Sequence, residues 1–193
     1  MKKSIFLVMD MTNDLVSETG ASAASYGVQV RDRGVLAKTR AAIDAARKAG
    51  VLVGFVRVGF SADYRECPPA SPIFSKARTN GLFKLGTEGT QTHPALGQQP
   101  GDFDIVKHRV SPFYGATLEP ILRANGIERL ILCGVSTNGV VHSGARDAHD
   151  RDYECIIFED CCAGVSVDEH DHAIACLGRY AAIVASDTFD FAG

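Results

Sequence analysis

Residues 5–10 read Ile5-Phe6-Leu7-Val8-Met9-Asp10, an unbroken apolar run that ends at a carboxylate. Apolar runs of the same kind recur at residues 51–58, 105–106, 130–133, 156–158 and 181–184. Runs without polar alternation are typical of strands that are buried on both faces, as in a parallel sheet. The sequence therefore predicts a mostly parallel central sheet of about six strands.

Segments with helical periodicity separate these runs. In residues 34–49 the apolar side chains recur with a 3.6-residue period, and Gly50 follows as a stop signal. Further helices are expected at residues 118–125, from near Asn138, and from Ser166, which has Glu169 at capping-box spacing. This alternation predicts one domain over residues 1–193, an α/β fold built as a three-layer α/β/α sandwich of the Rossmann-like type.

Residues 59–101 interrupt the alternation. They are rich in Gly, Pro, Ser and Thr, and only residues 72–84 have helical character. Long irregular segments in compact α/β domains are usually lids or binding loops. We therefore expect this segment to face a substrate or another subunit, and we expect the chain to form a homo-oligomer.

The composition narrows the classes of partner. The 193 residues are 46% hydrophobic and 22% charged, with a net charge of −3 and no cluster of basic residues, so no nucleic-acid partner is expected. No stretch approaches the roughly 20 apolar residues of a membrane helix, and the first apolar run stops too early for a secretory leader. Six cysteines without a CxxC pair favour reduced thiols. We expect a cytoplasmic protein with a small-molecule substrate.

Polar residues follow three of the predicted strands. Asp10 ends the first run, Lys107 follows residues 105–106, and residues 134–139 connect the fourth run to the helix that begins near Asn138. Ligands of open parallel sheets bind beyond the carboxyl ends of the strands, so these residues should meet. A carboxylate beside an ammonium, facing a helix N-terminus, is an arrangement suited to acid–base chemistry and to stabilising a developing anion.

Three motifs at these positions resemble those of the isochorismatase-like hydrolases. The first motif is residues 7–14, from Leu7-Val8-Met9-Asp10 to Asp14, and the second, residues 107–113, resembles K-x-R-x-S-x-F. The third is Gly134-Val135-Ser136-Thr137-Asn138-Gly139-Val140-Val141, followed by Ala-Arg-Asp-Ala at 145–148. The resemblance implies the isochorismatase-like fold, an aspartate as general base, a lysine, a cysteine nucleophile at a helix N-terminus, and a cis peptide bond between residues 135 and 136.

This chain departs from the pattern at the nucleophile, because Val140 stands where the family motif has its cysteine. The acyl-enzyme route therefore does not transfer. No substitute nucleophile is favoured among Cys133, Cys161 and Cys162, nor among Ser136, Thr137 and Ser143. Isochorismatases proper also lack the cysteine and use the aspartate to protonate a vinyl ether, but they typically carry glycine where Val140 stands.

We therefore expect a hydrolase that acts on a small molecule by Asp- and Lys-assisted water attack or protonation, at a C–N, ester or vinyl-ether bond. The alternative is a catalytically silent member that binds a small ligand or a partner protein in the inherited pocket. The predicted catalytic positions are Asp10, Lys107 and Val140. The predicted substrate-binding residues are Ser136, Thr137, Asn138, Gly139, Phe113 and Tyr64.

Neither a metal nor a cofactor is expected. Histidines at positions 170 and 172 are the only close pair, and two side chains at i and i+2 of a helix diverge. We expect both on a solvated helix face. No Walker loop is present in the sequence, and no G-x-G-x-x-G follows a strand.

Overall fold

Six strands form one parallel sheet in residues 2–191, the part of the chain that the computed structural model describes. They are β1 Ser4–Met9, β2 Leu52–Val58, β3 Phe103–Lys107, β4 Arg129–Val135, β5 Glu154–Ala163 and β6 Ala182–Val184. Their order across the sheet is β3-β2-β1-β4-β5-β6, and all five pairings are parallel. The winding therefore reverses between β1 and β4, and a crevice beyond the carboxyl ends at such a reversal is where ligands of these sheets bind.

Helices connect the strands and complete a three-layer α/β/α arrangement. The α-helices are α1 Asn13–Val16, α2 Val28–Asp32, α3 Val35–Lys48, α4 Ala77–Asn80, α5 Leu118–Ala124, α6 His142–His149 and α7 Val167–Leu177. Two π-helical turns span Ala23–Gly27 and Thr137–Val141, and 3₁₀ turns span Glu88–Thr90, Pro94–Leu96 and Ser186–Thr188.

The central strands are buried on both faces. Every residue from Ile5 to Met9 is at most 1% exposed, which explains why β1 is apolar without alternation. Close packing across the sheet depends on Gly134 in β4, because a Cβ there would lie 2.4 Å from the carbonyl oxygen of Met9. Burial of both faces and the parallel pairing confirm the predicted fold class.

Three elements differ from the sequence prediction in their bounds. β5 continues to Ala163 and includes Cys161 and Cys162, which the pattern placed beyond the strand. It continues past the polar Glu159 and Asp160 because its pairing with β4 shifts register between Leu132 and Gly134. Lys107 lies within β3 as its last residue. The helix expected from near Asn138 begins only at His142, after the π-helical turn.

The segment 59–101 is largely irregular, as its composition predicts, and it returns to the carboxyl edge of the sheet. Its first residues follow β2, and the backbone N–H of Phe60 donates to the carbonyl of Phe83 over 2.7 Å. The N–H of Leu85 in turn donates to the carbonyl of Phe60. These bonds hold the residues around α4 beside the ends of β1 and β2.

Candidate active site

Asp10 follows β1 directly and is held by the neighbouring strand. Its φ of 56° is left-handed, a conformation that Asp tolerates better than most residues. Its backbone N–H donates to the carbonyl of Val56, and its Oδ1 accepts the N–H of Val58 over 2.8 Å. The end of β2 therefore fixes the carboxylate at the carboxyl edge of the sheet.

Lys107 reaches Asp10 from the end of β3. Its Nζ lies 2.8 Å from Oδ2 of Asp10, and the two side chains are 1% and 9% exposed. The same Nζ donates to the carbonyl oxygen of Arg109 over 2.9 Å. The two residues, 97 positions apart in the sequence, thus form a buried ion pair.

Burial raises the pKa of the Asp10 carboxyl above its usual range. Desolvation is the dominant cause, and the nearby Lys107 ammonium and the N–H of Val58 oppose it in part. A carboxyl with a raised pKa exchanges its proton closer to neutral pH. It is therefore better suited to acid–base work than a solvated aspartate would be.

The loop after β4 forms another part of the cavity wall. The peptide bond between Val135 and Ser136 is cis, as the resemblance implies. The π-helical turn Thr137–Val141 follows, and a Cβ at Gly139 would lie 2.7 Å from Oγ of Ser136, so a larger residue there would displace this hydroxyl. Val140 is 2% exposed and lies inside this turn, whereas the spacing predicts the first turn of an α-helix.

Asp10, Lys107 and the turn border a single cavity of about 430 Å³. This volume is within the usual range for small-molecule sites. The wall around Asp10 and Lys107 consists of Leu15, Ser22, Ser25, Tyr26, Val58, Ile73, Phe74, Leu82, Phe83, Val110, Val135, Ser136, Asn138, Gly139 and Val140. Six predicted site residues therefore share the cavity: Asp10, Lys107, Ser136, Asn138, Gly139 and Val140.

The other three predicted site residues lie outside the cavity wall. Thr137 is fully buried, and its hydroxyl faces a histidine of α7. Phe113 stacks on Tyr153 with ring centroids 6.3 Å apart. Tyr64 packs against Phe60 instead of facing the cavity. For Phe113 and Tyr64 the reason is the same, because each aromatic ring finds an apolar partner of its own away from the cavity.

The apolar wall and several hydroxyls were not predicted from the sequence. Phe74 and Phe83, whose rings meet edge to face at 6.4 Å, belong to the irregular segment that was expected to face a substrate. Ser22, Ser25 and Tyr26 come from the π-helical turn at Ala23–Gly27 and its N-terminal flank. For Phe74 and Phe83 the available signal was the presence of aromatic residues in a segment expected to bind a substrate. No sequence pattern indicated Ser22, Ser25 and Tyr26.

The expectation that His170 lies on a solvated face is wrong. His170 is 1% exposed, and its Nδ1 lies 2.8 Å from Oγ1 of Thr137. Its Nε2 is 3.0 Å from Nη2 of Arg33 and 3.4 Å from a carboxylate oxygen of Glu159. Because Arg33 donates to Nε2, the proton of the neutral imidazole is expected on Nδ1, directed at the Thr137 oxygen. His172, two residues on, is exposed as predicted.

The buried cysteines have raised pKa values and lie outside the cavity wall. Burial raises the pKa of Cys155 and of Cys161 to about 11, and it raises the pKa of Cys133 and of Cys162 as well. Such thiols remain protonated, and thiols are far weaker nucleophiles than thiolates. None of the cysteines belongs to the cavity wall described above.

Residues 2–191 contain neither a candidate metal site nor a membrane-spanning helix. No group of three or more His, Cys, Asp or Glu side chains is arranged to hold a metal ion. No helix in the described range combines the length and the apolar character needed to cross a bilayer.

Comparison with known proteins identifies the family of the chain. A family model described as the isochorismatase domain matches residues 4–188. An isochorismatase family protein of Escherichia coli O157:H7, YecD, is 34% identical over 177 residues, which cover 90% of this chain and 86% of the relative. The ureidoacrylate amidohydrolase RutB of Variovorax paradoxus is 35% identical over 170 residues, with 81% and 67% covered.

Solved structures show the same fold. The N-carbamoylsarcosine amidase of Thermoplasma acidophilum aligns with a TM-score of 0.76 and 27% identity, covering 98% of this chain and 99% of that one. An isochorismatase family protein of Desulfovibrio vulgaris aligns with a TM-score of 0.86 at 21% identity, covering 97% and 96%. With a family model that matches nearly its whole length, and with amidohydrolases among its relatives, this chain belongs to the isochorismatase family of hydrolases.

Proposed function

We propose that this chain hydrolyses a small-molecule substrate with Asp10 and Lys107 and without a cysteine nucleophile. The observation that carries the proposal is the buried 2.8 Å pair of these two side chains at a cavity whose wall has Val140 at the position of the motif's thiol. Valine has no group that can attack a carbonyl. The nucleophile must therefore be water, and Asp10 is the acid or base available to activate it.

In the proposed reaction at a C–N bond, a water molecule lies between Asp10 and the substrate carbonyl. Asp10 removes a proton from the water while the water oxygen attacks the carbonyl carbon. The developing oxyanion accepts a hydrogen bond from Lys107. Two of the ammonium protons go to Asp10 and Arg109 in the described part of the chain, which leaves one for the substrate. Asp10 then returns its proton to the departing nitrogen, and the C–N bond breaks.

A vinyl ether is the second candidate substrate, because the raised pKa of Asp10 favours a carboxyl that can donate a proton. Asp10 would protonate the terminal vinyl carbon, water would add to the resulting oxocarbenium ion, and the hemiketal would collapse to a ketone and an alcohol. The C–N reaction ranks first because the named relatives include an amidohydrolase and an amidase.

The experiment is a screen of small amides, ureas, esters and isochorismate, followed by kinetics of variants on the best substrate. Asp10→Asn and Lys107→Met should each lower kcat by about 10²- to 10⁴-fold, the usual contribution of acid–base catalysis. Iodoacetamide treatment of the wild type should leave turnover intact. Loss of activity on alkylation would contradict a mechanism without a cysteine.

Asp160→Asn is the matched control. Asp160 is also a buried carboxylate that accepts a backbone N–H over 2.8 Å, from Ser186, but it lies outside the cavity wall. Its variant should lose stability and keep its turnover number. Substrate binding without turnover in the wild type would instead favour the catalytically silent family member.

Isotopes and pH separate the two reactions. Water attack on a carbonyl places oxygen-18 from labelled water in the acid product, whereas protonation of a vinyl ether places solvent deuterium on carbon. As a base, Asp10 must be ionised, so kcat/KM should rise as the pH rises through its pKa. As an acid, Asp10 must be protonated, so kcat/KM should fall over the same interval.

We also propose a cellular location and an oligomeric state for the enzyme. A cytoplasmic location is supported by six free cysteines, four of them buried in the described structure. A homo-oligomer is supported by Val28 and Val165, apolar side chains that are 46% and 45% exposed on the single chain. Sedimentation velocity of the purified protein tests the second point, and a monomer at all concentrations would contradict it.

A further inference from the structure

The charges around the cavity are few and already matched. Among the wall residues of the described chain, Asp10 and Lys107 alone carry a formal charge, and they neutralise each other at 2.8 Å. The other polar wall residues, Ser22, Ser25, Tyr26, Ser136 and Asn138, are neutral. No unpaired cation of the wall is therefore available to a carboxylate.

Arginines near the site do not supply the missing cation. Arg109, two residues beyond Lys107, directs its guanidinium to the carbonyl oxygens of Glu66 and His108. Arg57, next to the strand end that binds Asp10, forms a two-bond ion pair with Asp104. A carboxylate that left water for this cavity would lose its hydration without gaining an unpaired cation, which is unfavourable.

The cavity wall combines two chemically different groups of residues. The Asp10 carboxylate is an acceptor and a Lys107 proton is a donor, and they complement the N–H and the C=O of a carbamoyl group. The wall also contains apolar side chains that include Phe74, Leu82 and Phe83. A ligand that satisfies both groups has a polar, uncharged head and an apolar body.

We infer that the cavity selects an uncharged urea or amide with an apolar body and discriminates against carboxylates. This inference rests on the proposed function, because it takes Asp10 and Lys107 as the reacting end of the site. It ranks dicarboxylates such as isochorismate below neutral ureas and amides as substrates. Selection arises because the ammonium that would pair with a substrate carboxylate is already held by Asp10.

The test measures binding to the wild-type protein by calorimetry at neutral pH, independently of turnover. Phenylurea and 4-ureidobenzamide should bind, and 4-ureidobenzoate should bind at least about tenfold more weakly than the amide of the same shape. Equal or tighter binding of the carboxylate would overturn the inference. So would the failure of both neutral ureas to bind.

A positive charge placed at the mouth of the cavity provides a second test of the inference. Ile73 belongs to the wall and is 65% exposed, so Ile73→Arg should fold normally and restore binding of 4-ureidobenzoate. Val167→Arg on α7 is the matched control, because Val167 is 49% exposed and lies outside the wall. Equal gains in the two variants would mean that overall charge, not the cavity, decides the selectivity.

Binding and turnover separate this inference from the proposed function. Neutral ureas that bind selectively but are not hydrolysed would contradict the hydrolytic mechanism and leave the selectivity standing. Hydrolysis of carboxylate-bearing ureas that bind as tightly as the amides would contradict the selectivity and leave the hydrolytic mechanism standing.

Discussion

Asp10 and Lys107 illustrate how two charges can persist in an apolar interior. Each would be costly to bury alone, and together they satisfy each other while Val58 and Arg109 provide further backbone hydrogen bonds. Removing one member of such a pair costs more than removing both, because the remaining charge loses its partner. The pair therefore couples the stability of the fold to the chemistry of the site.

Lys107→Met should lower the free energy of unfolding by about 3–5 kcal/mol at about pH 7. Without Lys107 the pKa of Asp10 rises further, so Asp10 binds its proton more tightly in the folded chain than in the unfolded one. The stability that Asp10 gains from this proton is present below 3.8, its pKa in the unfolded chain. It is lost as the pH rises through the pKa of Asp10 in the folded chain. Urea unfolding at about pH 7 and about pH 5 should therefore show a smaller deficit at the lower pH.

The double variant Asp10→Asn/Lys107→Met is the control for that prediction. It buries no charge at the site, so it should recover much of the stability lost in Lys107→Met at neutral pH. A deficit of equal size in both variants would show that packing of the lysine chain, rather than its charge, is responsible.

Val140→Cys should create a reactive thiol. The new side chain would share the cavity with Lys107, and an ammonium nearby favours the thiolate. Mass spectrometry after iodoacetamide treatment should show position 140 modified faster than Cys133, whose buried thiol has a raised pKa. Adding Lys107→Met should slow the modification, and no difference between the two backgrounds would contradict the electrostatic argument.

At the scale of elements, the π-helical turn Thr137–Val141 is tied to α7 by the hydrogen bond between Thr137 and His170. Arg33 donates to the opposite edge of the same imidazole and is itself paired with Glu159. The turn that places Asn138 and Val140 in the cavity wall is thereby held by contacts outside that wall.

His170→Gln should flatten the pH dependence of stability. Burial, with a smaller effect of Arg33, lowers the pKa of His170 below 6.5, so the unfolded chain binds more protons at mildly acidic pH. The stability that His170 provides is present above the unfolded pKa and is lost as the pH falls from it towards the folded pKa. Thermal unfolding between about pH 7.5 and about pH 5.5 should show a shallower loss in the variant than in the wild type.

His172→Gln is the control for this prediction, because His172 is exposed on the same helix. It should retain the wild-type pH dependence. If both variants changed the slope equally, the buried network would not be its source.

At the scale of the whole molecule, an aromatic cluster joins the strands to the end of the described chain. Phe6 of β1 and Phe158 of β5 contact Phe191, with ring centroids 6.3 and 5.7 Å apart, and Phe189 lies 5.0 Å from Phe191. Phe191 is 7% exposed. The C-terminal residues thus complete the core beside the central strands.

Phe191→Ala should lower the free energy of unfolding by about 3 kcal/mol, because truncation removes buried apolar area and leaves a cavity. Tyr114→Ala, at a side chain 69% exposed, should change it by no more than about 0.5 kcal/mol. Chemical denaturation of both variants checks the prediction, and equal stabilities would contradict a structural role for the cluster.

Local patterns in the sequence were sufficient for most of the architecture. Apolar runs, interrupted in β2 only by Arg57, identify β1, β2 and β4 because strands buried on both faces need few polar residues, and the 3.6-residue period of α3 reflects its single buried face. The proximity of Asp10 and Lys107 followed from their positions at strand ends. Apolar runs, helical periods and strand ends are all recognised from residues close together in the chain.

Tertiary structure alone decided what surrounds the Asp10–Lys107 pair. His170 reads as one polar residue of an exposed helix, yet its partners Thr137 and Arg33 lie 33 and 137 residues away in the sequence. The cavity takes Phe74 and Phe83 from an irregular segment in place of Phe113 and Tyr64, because hydrogen bonds to Phe60 return that segment to the sheet edge. Contacts between distant residues have no periodicity, so only the folded chain reveals which side chains enclose the site.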